Sequence, residues 1–517
     1  MAVLGAGACG PGAFDGISSG TTDDPKLTAP RPISPLSVSW FATRRPRLTW
    51  ELTGDLTGAV VELCRTRACS KNETKTFTAT GRELVVPEDL ELGVWFWHLR
   101  GRTAKTTGTV FGPTWEFVLR GPAIAGSNDR PTGAMVDLNG DGLPDLLGGG
   151  SDFDGVPVFF AYRAVESGLA DGTIESFSFD IAPGLTPTDG AMTLGGGTDL
   201  DGDGFTDAVH IGFDTYDTMR EPPHAFVEYG SAMQIDYSKT RPAVALYAAF
   251  GPTPRVREAG DVNADGYGDA VLGSSDLGFV LYGSRVGTTG VLGSFRTDLA
   301  QLGRSRSVLG AFDLNGDGIS ELVMGTAERS PATVYPGEAS LALDKTKRVD
   351  ADGPIAAASA FASGDFDGDG IADLAMTVPN AGGSRVCFSL GRRGDDVLVP
   401  DRCLTGIEGD SDFGASLAAG DLEGDGKDEL LATAKTNGHA GVRSVHWNAD
   451  GLGLDAVASA NDLGLALTTL WPGRPGKARW AATSADAQTI VIFEGVERVE
   501  SIEPRTGERG RFGLVLR

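Results

Sequence analysis

Six short segments of the sequence place oxygen-bearing side chains at alternate positions and then continue into an apolar run. The first segment reads DLNGDGLPD, and in every copy positions 1, 3, 5 and 9 carry Asp, Asn or Glu. Position 6 is always Gly, which lets the backbone turn where a Cβ atom would clash. Ca²⁺ takes roughly six to eight oxygen ligands, and a chain that curls around the ion supplies them from alternate residues. The pattern therefore predicts six calcium sites, called loops 1 to 6 in chain order.

The loops share four predicted ligand positions, and 21 of the 24 side chains at these positions are carboxylates. The alternative is a set of Asp/Gly turns whose side chains only cap backbone groups. Recurrence of the same positions in six copies favours calcium, because a bare cluster of carboxylates would repel itself. The predicted ligands are Asp137, Asn139, Asp141 and Asp145; Asp199, Asp201, Asp203 and Asp207; Asp261, Asn263, Asp265 and Asp269; Asp313, Asn315, Asp317 and Glu321; Asp365, Asp367, Asp369 and Asp373; and Asp421, Glu423, Asp425 and Glu429.

The residues around each loop indicate strands. An EF-hand loop would continue to a Glu at position 12 and enter a helix, whereas here runs such as LLGGG and LVMGT follow position 9 directly. A small-residue run precedes each loop, and a further β segment such as FVEYGS often follows it. The loops start 52 to 62 residues apart. Four antiparallel strands per repeat, arranged radially, predict an all-β fold with a β-propeller.

The end of the chain indicates one more blade, without calcium. A shift of fifty residues aligns ELLATA at Glu429 with RWAATS at Arg479, and the other ligand positions then fall on Trp471, Gly473 and Pro475. We therefore predict a seven-bladed propeller over residues 121–517, with six calcium-loop blades and a degenerate seventh. The tail GRFGLVLR echoes FGASL and is a candidate closing strand.

Blades of the form strand–DxDxDG–strand, with FG before the loop, closely resemble the FG-GAP or VCBS-type repeats of integrin α-subunit propellers and their bacterial relatives. The fullest copy is DFGASLAAGDLEGDGKDELLATA, at residues 412–434, although several copies lack the Phe-Gly pair. The resemblance implies that the loop acids are ligands of structural calcium ions on one face of the propeller. It also implies that partners bind other loops.

Residues 31–120 alternate short β-like runs with turns at intervals of roughly ten residues, which is typical of an antiparallel sandwich. The order of RLTW, VELC, GVWFWHLRGR and GPTWEF resembles a fibronectin type III domain. Trp50, Trp95, Trp97 and Trp115 supply large side chains for its core, with an exposed glycan-binding patch as the alternative.

The chain of 517 residues has a net charge of −26 and no basic cluster, which excludes the nucleic-acid-binding class. No stretch reaches the roughly 18 apolar residues of a membrane-spanning helix. Cys64 with Cys69, and Cys387 with Cys403, have the spacing of local disulfides and no zinc-site spacing, with free thiols as the alternative. Two disulfides would place the protein in an oxidising compartment.

Residues 1–30 are interpreted as a signal- or lipoprotein-like N-terminus followed by a flexible linker. In MAVLGAGACG a small-residue run precedes Cys9, which would be the lipidated residue and the membrane tether. The basic and longer apolar parts of a signal peptide are missing, so a plain N-terminus is the alternative. We predict a protein that is extracellular or on the outer cell surface, either secreted or anchored as a lipoprotein.

No catalytic motif stands out beside the acidic loops. The five His residues form no metal-binding pair, no GxSxG or P-loop is present, and the acids are already committed to the loops. We therefore predict no catalytic residues and no enzyme, but a monomeric, calcium-stabilised binding or cell-adhesion protein for a protein or polysaccharide ligand. The alternative is a propeller enzyme, a polysaccharide lyase or hydrolase, with its site in the central funnel.

Overall fold

Among the residues that the structure describes, the regular elements are all β-strands, which confirms the all-β prediction. The computed structural model describes residues 22–70, 74–120, 131–151, 157–165, 168–178, 194–212, 224–232, 234–235, 241–245, 255–273, 278–285, 300–301, 307–325, 333–337, 349–350, 360–380, 383–394, 401–448, 451–458, 463–470, 479–484, 489–495, 497–503 and 515–516. Within these ranges no helix is long and apolar enough to cross a membrane. Cys9, the predicted lipidation site, lies outside the described residues.

Two sheets form the N-terminal domain. Its strands, and the connecting strand β11, are β1 (Thr22–Asp24), β2 (Arg31–Ser34), β3 (Ser39–Phe41), β4 (Arg47–Glu51), β5 (Gly58–Cys64), β6 (Lys75–Thr80), β7 (Glu83–Val85), β8 (Gly93–Arg102), β9 (Thr106–Phe111), β10 (Trp115–Leu119) and β11 (Gly133–Ala134). One sheet has the order β2-β4-β7, and the other has the order β1-β9-β8-β10-β3-β11, with β5 and β6 added at β8. Residues 22–24 were expected in the flexible linker; instead β1 pairs in parallel with β9.

One hydrophobic core lies between the two sheets of this domain. Trp50, Trp95, Trp97 and Trp115 are all buried in it. The rings of Trp97 and Trp115 meet edge to face, with centroids 6.0 Å apart, a geometry that aromatic pairs prefer. These four tryptophans therefore pack the core, as predicted, and do not form an exposed glycan-binding patch.

The described residues after 131 form seven antiparallel sheets, six of four strands and one of five. Sheet 1 contains β12–β14 and β42, sheet 2 contains β15–β17 and β20, and sheets 3 to 7 contain β21–β24, β25–β28, β29–β32, β33–β37 and β38–β41, while β18 and β19 form a separate hairpin. The strands are β12 (Leu146–Ser151), β13 (Pro157–Val165), β14 (Gly168–Ser178), β15 (Leu194–Thr198), β16 (Asp207–Gly212), β17 (His224–Glu228), β18 (Gly230–Ser231), β19 (Gln234–Ile235), β20 (Arg241–Ala245), β21 (Arg255–Gly260), β22 (Asp269–Gly273), β23 (Gly278–Leu281), β24 (Ala300–Gln301), β25 (Ser307–Phe312), β26 (Glu321–Gly325), β27 (Thr333–Tyr335), β28 (Val349–Asp350), β29 (Phe361–Gly364), β30 (Asp373–Asn380), β31 (Gly383–Ser389), β32 (Arg402–Thr405), β33 (Asp410–Ser411), β34 (Leu417–Gly420), β35 (Glu429–Thr436), β36 (His439–Asn448), β37 (Gly451–Ala458), β38 (Leu463–Leu470), β39 (Arg479–Ser484), β40 (Ile490–Glu494), β41 (Glu497–Ile502) and β42 (Val515–Leu516).

The C-terminal strand closes the ring of sheets. β42 pairs antiparallel with β12, so the tail of the chain adds the strand on the free side of β12 in sheet 1. Leu146 and Phe160 of sheet 1 also share a hydrophobic cluster with Ala481 and Ile492 of sheet 7. The first and last sheets therefore pack against each other, as expected for a propeller-like fold, and the tail takes the closing position predicted for it.

Both predicted disulfides are present. Cys64 is joined to Cys69, and Cys387 is joined to Cys403. The second pair lies directly opposite on the neighbouring strands β31 and β32 of sheet 5. Each disulfide therefore fixes a local connection within one domain.

Candidate metal centres

The first acid of each loop is held by backbone N–H groups of the same loop. One carboxylate oxygen of Asp137 accepts a hydrogen bond from the Gly142 N–H, and the position-6 glycine donates in the same way in every loop, at 2.7–3.0 Å. The other oxygen of the position-1 carboxylate accepts from the N–H of position 4 or 5 at 2.6–3.3 Å. Six loops of different sequence thus adopt one conformation.

The acid at position 9 accepts hydrogen bonds from its own loop and, in four loops, from a residue later in the chain. In all six loops this carboxylate accepts from the N–H of position 2 at 2.7–2.9 Å. In loops 1, 2, 3 and 5 its second oxygen accepts from a backbone N–H that lies 14–23 residues later in the chain, in or just after a strand, at 2.8–2.9 Å. In loops 2 to 6 position 9 is also the first residue of a strand. A predicted ligand position is therefore the first residue of each of these strands.

Two positions in each loop require a left-handed backbone. Position 6 has φ values of 78–97°, which fits the glycine found there in every copy. Position 4 has φ values of 58–82°, and it is Gly in five loops but Ala264 in loop 3. The sequence pattern identified position 6 but missed position 4, because Ala264 interrupts the glycine pattern there.

In two loops the acidic side chains converge closely. Ligand atoms of Asp199, Asp201 and Asp203 in loop 2 all lie within 4.8 Å of one another. The same holds for Asp365, Asp367 and Asp373 in loop 5. Carboxylate oxygens this close fit around one Ca²⁺, whose ligands lie about 2.3–2.6 Å from the ion. Hard oxygen donors in this arrangement are compatible with calcium.

Burial sets the protonation of these acids when no cation balances them. Together with the charge of neighbouring carboxylates, it raises the pKa of Asp261, Asp313 and Asp365 to about 7. Burial likewise raises the pKa of Glu429 to about 8, with Asp421 adding to the effect. Full ionisation of the loops at neutral pH therefore needs a compensating positive charge, which a divalent cation would supply.

Backbone hydrogen bonds join neighbouring loops into a chain around the ring. The position-1 carbonyl of one loop accepts from the position-8 N–H of the next loop in four of the five successive pairs. These bonds are Thr206 N–H to Asp137 O (3.1 Å), Gly268 N–H to Asp199 O (2.7 Å), Ser320 N–H to Asp261 O (2.9 Å) and Asp428 N–H to Asp365 O (2.9 Å). The residue whose side chain is the first predicted calcium ligand therefore also connects two blades through its backbone.

The N-terminal domain is seated on the same loops. Backbone carbonyls of loop 2 accept three of its hydrogen bonds: Gly204 O accepts from Arg67 Nη2 (2.6 Å) and from Ser37 Oγ (2.9 Å), and Gly202 O accepts from Trp115 Nε1 (3.1 Å). In loop 3, Asp265 O accepts from Arg31. The loop face of the ring is thus the docking surface of the N-terminal domain.

A buried ion pair reinforces this docking. Arg120, just after β10, makes two hydrogen bonds to Asp428 at position 8 of loop 6, with N–O distances of 2.5 and 3.0 Å. The side chains are 3% and 1% exposed. The Asp365 N–H donates to the same Asp428 carboxylate at 2.8 Å. One aspartate therefore connects loop 5, loop 6 and the N-terminal domain.

A cavity of about 280 Å³ lies between the first strands of the sheets and the N-terminal domain. Strands β15, β21, β25, β29, β34 and β38 line it together with Trp40 and neighbouring residues of the N-terminal domain. Arg257 and Glu258 of β21 are among its lining residues, and the Arg257 guanidinium lies 5.4 Å from the centre of the Phe361 ring. The cavity therefore contains a carboxylate that does not belong to the loop pattern.

Sheet 7 differs at the place where the other sheets carry an acid. Arg479, which aligns with position 9, begins β39 and pairs with Glu494 at 3.2 Å. Trp471, Gly473 and Pro475 lie outside the described residues. A cation at this position in place of a carboxylate is consistent with a seventh repeat that holds no calcium.

Residues 357–392 and 413–446 match the family model of the FG-GAP repeat. These segments lie in sheets 5 and 6, so the chain carries FG-GAP repeats, as the sequence predicted. A comparison with curated proteins finds no match.

Three solved structures are similar to this chain over most of its length. An exotype rhamnogalacturonan lyase is 12% identical, with 91% of each chain covered and a TM-score of 0.38. A protein from Lactobacillus plantarum is 10% identical, with 72% of this chain and 98% of that chain covered and a TM-score of 0.41. A rhamnogalacturonan lyase from Bacillus licheniformis is 12% identical, with 93% of this chain and 78% of that chain covered and a TM-score of 0.27.

Two of these three structures are rhamnogalacturonan lyases, and this finding contradicts the prediction that the chain is not an enzyme. That prediction relied on finding no convincing pair of carboxylates outside the loop pattern, and Glu258 is one carboxylate outside the pattern that lines the cavity. The likeness in fold does not itself assign a reaction to this chain.

Proposed function

We propose that this protein is an extracellular, calcium-binding β-propeller of seven blades with a fibronectin type III-like N-terminal domain. Six Ca²⁺ ions would hold neighbouring blades together and seat that domain on the ring. The observation that carries the proposal is the threefold role of the loops. They gather the buried carboxylates, they exchange backbone hydrogen bonds between blades, and they accept hydrogen bonds from the N-terminal domain.

The electrostatics of the loops support a cation in each of them. Positions 1 and 9 are buried in several loops, and Asp199, Asp365 and Asp373 have no exposed surface. Buried like charges disfavour the compact state unless an opposite charge accompanies them. The backbone N–H groups stabilise only part of this charge. In our proposal one Ca²⁺ in each loop compensates for the remaining negative charge, and the 24 predicted side chains are the ligands of the six ions.

We further propose that the ring presents a binding surface to a protein or polysaccharide at or outside the cell surface, as a monomer that is secreted or anchored through Cys9. Two disulfides support the oxidising compartment. Millimolar calcium outside cells would keep weak loop sites occupied. Adhesion to a surface polymer fits this combination of a rigid scaffold and a strongly acidic chain.

Counting bound ions tests the calcium proposal. Equilibrium dialysis followed by atomic emission should find about six Ca²⁺ per chain, and the Asp199→Asn/Asp201→Asn protein should bind one fewer. An Asp23→Asn protein is the control, because Asp23 is exposed in β1 and belongs to no loop. A wild-type count near zero would contradict the proposal.

The central cavity favours a second candidate, an enzyme that acts on an acidic polysaccharide. In this proposal Glu258 is the general acid or base, and Arg257 binds an anionic group of the sugar. Glu258→Gln should then abolish product release from a panel of acidic polysaccharides that includes rhamnogalacturonan, while Glu88→Gln, an exposed change far in sequence, should not. No product from the wild-type protein with any of these polymers would argue against this candidate.

A further inference from the structure

Glu116 is a buried acid of the N-terminal domain that the loop pattern does not include. It lies in β10, next to Trp115, and its side chain has no exposed surface. Neither carboxylate oxygen of Glu116 accepts a hydrogen bond from an N–H or hydroxyl group, and its polar neighbour is the carboxyl group of Asp137. A buried carboxylate without a donor is strongly disfavoured unless a positive charge compensates for it. A cation bound beside Glu116 and Asp137 would supply this compensation.

The side chain of Glu116 is directed at loop 1. Its carboxyl group lies against that of Asp137, the position-1 acid, and near that of Asp141 at position 5. The neighbouring cation is Arg67, whose guanidinium already donates to Thr114 O at 2.6 Å and to Gly204 O at 2.6 Å. Arg67 is thus a cation beside Glu116, while Asp137 and Asp141, two predicted calcium ligands, add negative charge at the same place.

The backbone around Glu116 is fixed on the loops. The Glu116 N–H donates to Ser37 Oγ at 3.3 Å, and Ser37 Oγ in turn donates to Gly204 O at 2.9 Å. Trp115, the preceding residue, donates to Gly202 O of loop 2 at 3.1 Å. Because successive side chains of a strand point to opposite faces, Trp115 and Glu116 leave β10 in different directions. This places the carboxylate beside loop 1 in a defined position.

Loop 1 has one acid fewer than the most acidic loops. Its four ligand positions hold three carboxylates and Asn139, whereas loops 2, 5 and 6 hold four carboxylates. Glu116 would bring loop 1 to four. We propose that Glu116 is a calcium ligand of loop 1 supplied by the N-terminal domain, so that one ion joins the two domains directly.

This inference rests on the proposed calcium sites, and its test separates the two. Calcium binding to the full-length wild-type, Glu116→Gln and Asp137→Asn proteins would be measured by competition with a fluorescent chelator. Glu116→Gln should weaken one site by about tenfold or more, as loss of a metal-supporting residue typically does. Asp137→Asn should affect the same single site, and the double variant should lose no second site.

A matched control is Glu88→Gln, an exposed change in the same domain, which should leave all sites intact. If the wild-type protein binds six ions and Glu116→Gln binds them with unchanged affinity, the inference is overturned while the calcium proposal stands. If the wild-type protein binds none, both fail.

A crystal structure of the wild-type protein with calcium decides the matter even if Glu116→Gln does not fold. A Glu116 oxygen at about 2.3–2.6 Å from the loop 1 ion would support the inference. An ion in loop 1 without Glu116 among its ligands would overturn it.

Discussion

Replacement of Asp428 by alanine should loosen the N-terminal domain from the ring. Arg120 would remain buried without an anion, and its Nε atom already has no hydrogen-bond partner. The Asp365 N–H would also lose the carboxylate that accepts from it at 2.8 Å. Removing one partner of a buried ion pair typically costs about 3–5 kcal/mol. We expect the free energy of unfolding of Asp428→Ala to fall by about that amount.

Urea denaturation in saturating calcium, followed by tryptophan fluorescence, would measure this loss. Trp40 is a suitable reporter, because the Arg120 guanidinium lies 4.2 Å from its ring centre. Asp89→Ala is the matched control: it breaks an exposed pair with Arg45, with side chains 57% and 55% exposed, and should leave the urea midpoint nearly unchanged.

The double variant Arg120→Met/Asp428→Ala should be more stable than Asp428→Ala alone, because it leaves no unpaired buried charge. The reasoning would be refuted by an Asp428→Ala protein that loses less than about 1 kcal/mol. It would also be refuted by a double variant that is no more stable than the single one.

Four further predictions concern the loops and the disulfides. Calcium affinity, measured by chelator competition, should fall as pH drops from 8 to 5, since protons compete for acids such as Asp365, whose pKa without metal is about 7. The metal-free protein should show the opposite trend and melt at higher temperature as pH falls through 7, because its native form binds the additional protons. Gly204→Ala should destabilise the protein more than Gly81→Ala in thermal melts. Both glycines have positive φ, but a Cβ at Gly204 would lie 2.2 Å from a backbone oxygen whereas Gly81 faces open space. Replacing Cys387 and Cys403 by Ser should cost about 2–3 kcal/mol in urea unfolding, and an unchanged midpoint would contradict this.

The loops were predictable because their chemistry recurs. Oxygen-bearing side chains at alternate positions and the position-6 glycine repeat in all six copies, so the sequence pattern located each loop and the strand that begins at or just after position 9. The closing strand was also found, through the echo of FG in the tail, because a ring needs its last segment to pair with its first. The loops and the closing strand were therefore predictable because they repeat a pattern found elsewhere in the chain.

Single contacts between domains were not predictable. Arg67, Arg120 and Glu116 are lone charged residues whose partners lie 137, 308 and 21 positions away, and no periodic pattern identifies them. Strand β1 was missed because the polar segment TDD has no hydrophobic alternation. No motif in the sequence singles out Glu258 either, although this residue of β21 lines the cavity.

Thermal melting with and without calcium tests the central claim most directly. A ligand that binds only the folded protein adds about 1.4 kcal/mol per site at ten times its Kd, so six sites could contribute several kcal/mol. Scanning calorimetry in millimolar calcium should therefore give a much higher Tm than scanning calorimetry in excess EDTA. Identical Tm values under the two conditions would contradict the claim that calcium holds this fold together.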